Sequence, residues 1–77
     1  MTVQELNELF GKNLKRYRKE KVWSVAELAG NMGLSKYTIY KYERGVYFAS
    51  GPQLALLAYL LEVDVWKLFY EENKSTP

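Results

Sequence analysis

The side chains best suited to chemistry lie in one short stretch, SKYTIYKYERG, which spans residues 35–45. If this stretch is helical, a spacing of i, i+3, i+4 and i+7 places four of them on one face: Tyr37, Tyr40, Lys41 and Arg44. Lysine can donate to guanine acceptors or bind a phosphate, and tyrosine can offer its hydroxyl or contact a thymine methyl group. The stretch therefore predicts a surface for DNA, with two alternatives: a merely solvated helix face, or a tyrosine-rich surface for another protein.

The composition excludes most other chemistry. The chain has no histidine and no cysteine, so it has neither an imidazole acid–base group nor a thiolate ligand for a metal. The sequence also contains no recognisable nucleophile–base pair, metal cluster or phosphate-binding loop. We therefore predict a protein that is not an enzyme and that needs no metal or cofactor.

Charge is unevenly distributed along the 77 residues. Residues 1–45 carry nine basic and five acidic side chains, a net charge of +4, whereas residues 46–77 carry two basic and four acidic side chains, a net charge of −2. This asymmetry indicates that one surface of the protein meets an anion and that another does not.

The length allows one small domain, which we predict over residues 1–70, followed by a polar C-terminal tail at residues 71–77. The longest apolar run, LALLAYLL at residues 54–61, is far shorter than the roughly 20 residues of a membrane-spanning helix. The N-terminus lacks the apolar run of a secretory signal. We therefore expect a soluble, cytoplasmic protein.

Five short helices are predicted to position the side chains of residues 35–45. The first two begin with capping-box patterns, Thr2 with Glu5 and Ser24 with Glu27. Helix 1 is expected to run to about residue 20, and helix 2 to end at Gly33, where a positive φ is permitted. Inside helix 2, Gly30 costs about 1 kcal/mol relative to alanine.

The remaining helices are marked by similar signals. Ser35 is the predicted cap of helix 3, and Gly45 ends it. Helix 4 is expected over about residues 53–61, after Pro52 in its first turn. Asp64 is the predicted cap of a short helix 5, whose inward side chains are expected to be Val65, Leu68 and Phe69.

Helices 2 and 3 have the residues that a helix-turn-helix requires. The two helices approach each other closely at Ala29, where only a small side chain fits, and Gly33 permits the change of sign in φ that the turn needs. Leu34, Ile39 and Tyr42 are then predicted to pack the second helix against the first.

Two segments, LKRYRKEKVWSVAELAGNMGLSKYTIYKYERG and LALLAYLLEVDVWKLF, resemble the phage-repressor (Cro/XRE) type of helix-turn-helix domain, and the resemblance covers about residues 10–69. It implies an all-α, five-helix, lambda-repressor-like domain with the helix-turn-helix at helices 2 and 3. It also implies a homodimer that places each helix 3 in a major groove of a pseudo-palindromic operator. The function implied is a sequence-specific transcriptional regulator, a repressor of a phage or mobile-element type operon.

The resemblance assigns roles to individual residues of this chain. The base-reading positions are Lys36, Tyr37, Tyr40 and Lys41. The phosphate-contacting positions are Ser24, Thr38 and Arg44. Arg18 and Glu43 occupy the positions of a structural ion pair that ties helix 1 to the end of helix 3.

The chain departs from the family pattern at three places. Val25 stands where the family often has a glutamine that touches the DNA backbone, the tyrosines at 37 and 40 replace smaller residues, and the loop after Gly45 is apolar rather than basic. These departures favour the alternative reading: a protein-interaction module, such as an antitoxin or anti-repressor partner, that uses Tyr47 and Phe48.

An aromatic patch near the C-terminus is predicted to be the dimer interface. Helix 5 is too short to bury Trp66, Phe69 and Tyr70 together, so an outward patch is expected, formed by Leu61, Val63, Trp66 and Tyr70. The alternative is a tryptophan that lies flat on its own core.

Overall fold

The computed structural model describes residues 1–71, and the tail predicted at residues 71–77 lies outside them except for its first residue. Four α-helices follow one another: α1 at Val3–Glu20, α2 at Val25–Met32, α3 at Lys36–Glu43 and α4 at Gly51–Leu61. A 3₁₀ helix at Val65–Phe69 completes the fold, and no strand occurs within residues 1–71. The predicted all-α fold is confirmed, with the fifth helix reduced to 3₁₀ geometry.

The helix starts follow the predicted capping chemistry. The Thr2 hydroxyl accepts from the N–H of Glu5 at 3.1 Å, and the Glu5 carboxylate accepts from the N–H of Thr2 at 2.7 Å. Ser24 and Glu27 form the same reciprocal pair. Both interactions satisfy backbone donors that have no partner inside the helix, so the beginnings of α1 and α2 are fixed locally.

Two details of the predicted caps are wrong. Helix α4 begins at Gly51, two residues before the predicted start, because Pro52 is accommodated in its first turn. Asp64 occupies the N-cap position of the 3₁₀ helix, but its side chain makes no capping hydrogen bond. A 3₁₀ helix of five residues depends on packing rather than on a cap for its stability.

The core lies where α1, α3, α4 and the 3₁₀ helix meet around α2. Its fully buried large side chains come from all five elements: Phe10, Leu14, Leu28, Ile39, Leu57 and Leu68. Val65 was predicted to face inward but is 41% exposed. That prediction assumed α-helical spacing, whereas a 3₁₀ helix turns Phe69 about a third of a turn away from Val65. Packing Leu68 and Phe69 on the core therefore leaves Val65 at the rim.

Rings around Phe10 join α1 to the rest of the fold. The Phe10 ring stacks on Phe69 with centroids 5.5 Å apart, and it meets Tyr42 at 5.7 Å and Phe48 at 6.4 Å in edge-to-face geometry. Offset stacking and edge-to-face contacts are the favoured arrangements of aromatic pairs. This cluster anchors α3 and the loop after it onto α1.

Helix α1 also contacts the 3₁₀ segment and α3 through small or polar residues. The buried Asn13 side chain donates from Nδ2 to the carbonyl oxygens of Leu68 and Tyr70, each at 3.0 Å. At Gly11 the helix comes so close to α3 that a Cβ there would lie 2.5 Å from the carbonyl oxygen of Tyr42. Helix α1 is therefore the brace against which the end of α3 is positioned.

Candidate nucleic-acid interface

The turn between α2 and α3 sets the angle of the helix that carries the predicted site. Gly33 has φ +68°, and the N–H of Leu34 donates to the carbonyl oxygen of Ala29 at 2.9 Å. This hydrogen bond closes α2 around a left-handed residue. Ala29 is 3% exposed and Ile39 is fully buried, so α3 packs across α2 at the positions predicted from the sequence.

Helix α3 has one buried face and one exposed face. Ile39 and Tyr42 are buried, whereas Tyr37 is 65% and Tyr40 is 48% exposed. The basic residues on the same outer side are Lys36 and Arg44, both exposed, and Lys41, which is partly covered. The structure therefore brings the four predicted base-reading positions and Arg44 together on one convex surface.

Lys41 is confined by two tyrosine rings. Its Nζ lies 4.7 Å from the centroid of Tyr37, on its own helix, and 5.9 Å from the centroid of Tyr47, in the following loop. Both distances are within the range of a cation–π contact. A hydrogen bond with the Tyr37 side chain raises the pKa of the Lys41 ammonium above its ordinary value, so Lys41 remains a cation throughout the physiological pH range.

Residues predicted to contact phosphate lie at the first turns of α2 and α3. Ser24 is exposed at the start of α2, and its hydroxyl accepts from the backbone N–H of Glu27 at 3.0 Å, so the hydroxyl proton remains available for donation. Thr38 is partly buried, and its Oγ1 lies 3.2 Å from the Oγ of Ser35. The first N–H groups of each helix point outward and suit an anion.

Arg18 and Glu43 form a nearly buried ion pair. The guanidinium donates from Nε at 2.6 Å and from Nη2 at 3.0 Å to the two carboxylate oxygens, a bidentate geometry. Its Nη1 donates to the carbonyl oxygen of Trp23 at 2.7 Å. The hydrogen bond to Glu43 raises the pKa of Arg18, and burial opposes this effect. One side chain thus joins α1, the entry to α2 and the end of α3.

The apolar loop at residues 46–48 is only partly free for a partner. Tyr47 and Phe48 are 41% and 40% exposed, but each ring is also packed inside the molecule. Tyr47 meets the buried Tyr42 edge-to-face at 5.6 Å, and Phe48 meets Phe69 at 5.7 Å. The loop therefore belongs to the rim of the core.

The predicted dimer patch is exposed except for one residue. Trp66 is 56% and Tyr70 is 48% exposed, with their ring centroids 5.4 Å apart, and Val63 is partly buried beside them. Leu61 is 3% exposed because it lies on the inner face of α4. Leu61 is therefore a core residue, and its assignment to the patch is wrong.

Two contacts at this surface were not predicted from the sequence. Tyr47 lies against Lys41, and Gly11 allows α1 to touch the end of α3. Neither pair follows the spacing of one helix, since one contact crosses from α3 to a loop and the other joins separate helices. The only signal in the sequence is a glycine at residue 11 inside an otherwise strongly helical segment.

This fold and this surface define a helix-turn-helix domain of the DNA-binding class. The family described as "Helix-turn-helix domain" matches residues 9–65, more than half of the chain. The chain belongs to this family, and the predicted resemblance to Cro/XRE-type domains is confirmed. Since the family and its relatives are DNA-binding regulators rather than enzymes, the prediction of a non-enzymatic protein is supported as well.

Several named proteins are similar to the chain. The HTH-type transcriptional regulator SlrR of Bacillus subtilis is 37% identical over 66 residues, which are 84% of this chain and 43% of SlrR. The chain thus spans less than half the length of this relative. The N-terminal DNA-binding domain of SinR from Bacillus subtilis is 32% identical with a TM-score of 0.74, and the match covers 87% of this chain and 99% of the domain.

Two further structures connect the fold with DNA. SinR has been solved in complex with DNA; that structure is 33% identical with a TM-score of 0.68, over 77% of this chain and 95% of SinR. The restriction-modification controller protein C.AhdI from Aeromonas hydrophila is 30% identical with a TM-score of 0.74, over 82% of this chain and 96% of C.AhdI. The class supported by these relatives is transcription regulation through DNA.

No helix within residues 1–71 is both long enough and apolar enough to cross a membrane.

Proposed function

We propose that the chain binds a specific double-stranded DNA site as a homodimer and represses transcription in the cytoplasm by blocking polymerase. The observation that carries the proposal is the convex outer face of α3, where lysine, arginine and tyrosine side chains surround a helix whose other face is buried. A helix of this kind fits the major groove, which is about 12 Å wide. The SinR–DNA complex supports the same use of the fold.

The roles of the side chains follow from their chemistry. Ser24, Thr38 and Arg44, together with the first N–H groups of α2 and α3, are suited to phosphates and set the register of the domain on the duplex. Lys36, Tyr37, Tyr40 and Lys41 are suited to the edges of the bases: lysine to guanine acceptors, tyrosine to thymine methyl groups.

The ion pair between Arg18 and Glu43 has a positioning role in this proposal. It neutralises the negative charge at the C-terminal end of α3, which otherwise repels a phosphate backbone. It also fixes the end of α3 relative to α1, because both carboxylate oxygens are held. A rigid end of the reading helix gives the bases a defined partner.

Dimerisation is proposed through the patch of Val63, Trp66 and Tyr70. Exposed tryptophan and tyrosine rings in contact form an apolar surface that a second copy can cover symmetrically. Two copies of α3 then address half-sites about 34 Å apart, one turn of the duplex. A phage or mobile-element operon is the target that the Cro/XRE resemblance suggests. The alternative, a protein-interaction module, has less support because Tyr47 and Phe48 are packed on internal rings.

Selection from a random DNA pool, followed by titration at several salt concentrations, tests the proposal. We expect an enriched two-fold symmetric site bound with nanomolar-scale affinity, and a logarithm of the binding constant that falls by about 0.9 per phosphate contact for each logarithmic unit of salt. Lys41→Ala is expected to weaken binding to the enriched site, while the matched control Lys12→Ala, an exposed lysine of α1, leaves it nearly unchanged. Weak binding to every duplex alike contradicts the proposal and favours a protein partner.

A further inference from the structure

Tyr47 is attached to the core although its ring is partly exposed. The ring meets Tyr42 edge-to-face, with centroids 5.6 Å apart and an angle of 80° between the planes. Tyr42 itself is 3% exposed and donates its hydroxyl hydrogen to Oε1 of Gln53 at 3.1 Å. Tyr47 therefore has a fixed support, which is unusual for a loop residue that is 41% exposed.

The outer side of the same ring faces the reading helix. Lys41 Nζ lies 5.9 Å from the centroid of Tyr47 and 4.7 Å from the centroid of Tyr37. A lysine on a helix surface ordinarily samples many rotamers of its four-carbon stem. Here one ring on α3 and one ring on the loop both attract the ammonium, so its position is restricted before any DNA binds.

We propose that Tyr47 is a specificity-determining positioning residue, which holds Lys41 beside Tyr37 so that the two side chains address neighbouring bases as one rigid unit. The inference rests on the proposed function, because it concerns the same DNA-reading surface. A confined ammonium reaches one acceptor well and others poorly, whereas a mobile ammonium reaches several acceptors equally. Tyr47 thus increases discrimination between bases without touching DNA itself.

Two substitutions separate the ring from the mere bulk of Tyr47. Tyr47→Phe keeps the aromatic face and the edge contact with Tyr42. Tyr47→Leu keeps an apolar side chain on Tyr42, so the fold is maintained, but it removes the aromatic face that attracts the cation. Thermal unfolding of both variants establishes the temperature range in which each is folded, and binding is compared within that range.

The measurement is the base preference at each position of the DNA site selected by the wild-type chain. For every single base-pair change, the ratio of its dissociation constant to that of the selected site is determined for four chains: wild type, Tyr47→Leu, Tyr47→Phe and Lys41→Ala. We expect Tyr47→Leu to lower this ratio by about 3- to 10-fold, as expected for one lost cation–π contact. The loss is expected only at the position where Lys41→Ala also lowers the ratio, and Tyr47→Phe is expected to restore it.

The double variant with Tyr47→Leu and Lys41→Ala is expected to discriminate no worse than Lys41→Ala alone, because Tyr47 acts through Lys41. Equal weakening on every sequence, loss at positions that Lys41 does not read, or additive losses in the double variant overturn this role of Tyr47. If the wild-type chain enriches no site at all, the proposed function fails, and this inference with it. If a site is enriched but Tyr47→Leu keeps the full preference, only this inference fails.

Discussion

Alanine at Gly11 is expected to destabilise the domain, although alanine ordinarily favours a helix. A Cβ built on Gly11 lies 2.5 Å from the carbonyl oxygen of Tyr42 and 2.7 Å from that of Glu43. An ordinary contact begins at 3.4 Å, so α1 and the end of α3 must separate by about 0.9 Å, the difference between 3.4 and 2.5 Å. Both obstructing atoms belong to the backbone, so a side-chain rotation cannot relieve the overlap.

The free-energy change follows from two opposing contributions. Overpacking of this kind costs up to about 3 kcal/mol, and replacing glycine by alanine inside a helix gains about 1 kcal/mol. We therefore expect a net loss of about 2 kcal/mol in the free energy of unfolding. For a domain of this size, each kcal/mol shifts the melting temperature by about 4–8 °C, so the melting temperature should fall by about 8–16 °C.

Gly30 provides a matched control for the same substitution. It is exposed and lies inside α2, and beyond the backbone of that helix a Cβ at this position would meet no atom of residues 1–71 within 4 Å. Gly30→Ala should therefore gain about 1 kcal/mol and raise the melting temperature by about 4–8 °C. Thermal unfolding followed by circular dichroism measures both variants. A melting temperature that rises for Gly11→Ala as it does for Gly30→Ala refutes the close approach of α1 to α3.

Three further predictions concern other parts of the fold. Arg18→Ala leaves the nearly buried Glu43 carboxylate without its charged donors, and should cost about 3–5 kcal/mol in urea unfolding; a cost below about 1 kcal/mol, the usual value of a surface pair, contradicts this burial. Val22 is a β-branched residue at φ +60° and 84% exposed, so Val22→Gly should relieve strain and gain about 1 kcal/mol; a lower melting temperature contradicts that strain. Burial raises the pKa of Tyr42 above its usual 10.0, so its contribution to stability is complete below pH 10.0 and is lost as the pH rises through the raised value. Tyr42→Phe, which also loses the hydrogen bond to Gln53 at about 1 kcal/mol, should show a shallower decline in stability above pH 10.0, and an unchanged decline excludes Tyr42 as its source.

The helices and their order could be predicted because their signals are local. Capping boxes at Thr2 and Ser24, a glycine at the end of α2 and the apolar spacing of α3 each involve residues within one or two turns. The helix-turn-helix followed from Ala29 and Gly33 together, since a close crossing and a left-handed turn need small residues. The outward face of α3 followed from the buried positions of Ile39 and Tyr42.

Features that depend on distant contacts could not be predicted. The reason for glycine at residue 11 is a pair of carbonyl groups far along the chain, at Tyr42 and Glu43. Leu61 has the same apolar character as an interface residue, and only the direction of α4 places it in the core. The contact of Tyr47 with Lys41 depends on how the loop after α3 folds back, which no periodic pattern records.

The central claim, that the outer face of α3 binds DNA, is tested most directly by nuclear magnetic resonance of the isotope-labelled chain during titration with its selected duplex. The account predicts that the largest changes in amide chemical shift occur in the first turn of α2 and along α3 from Ser35 to Arg44. Changes confined to the patch of Val63, Trp66 and Tyr70, with the amides of α3 unaffected, would contradict it.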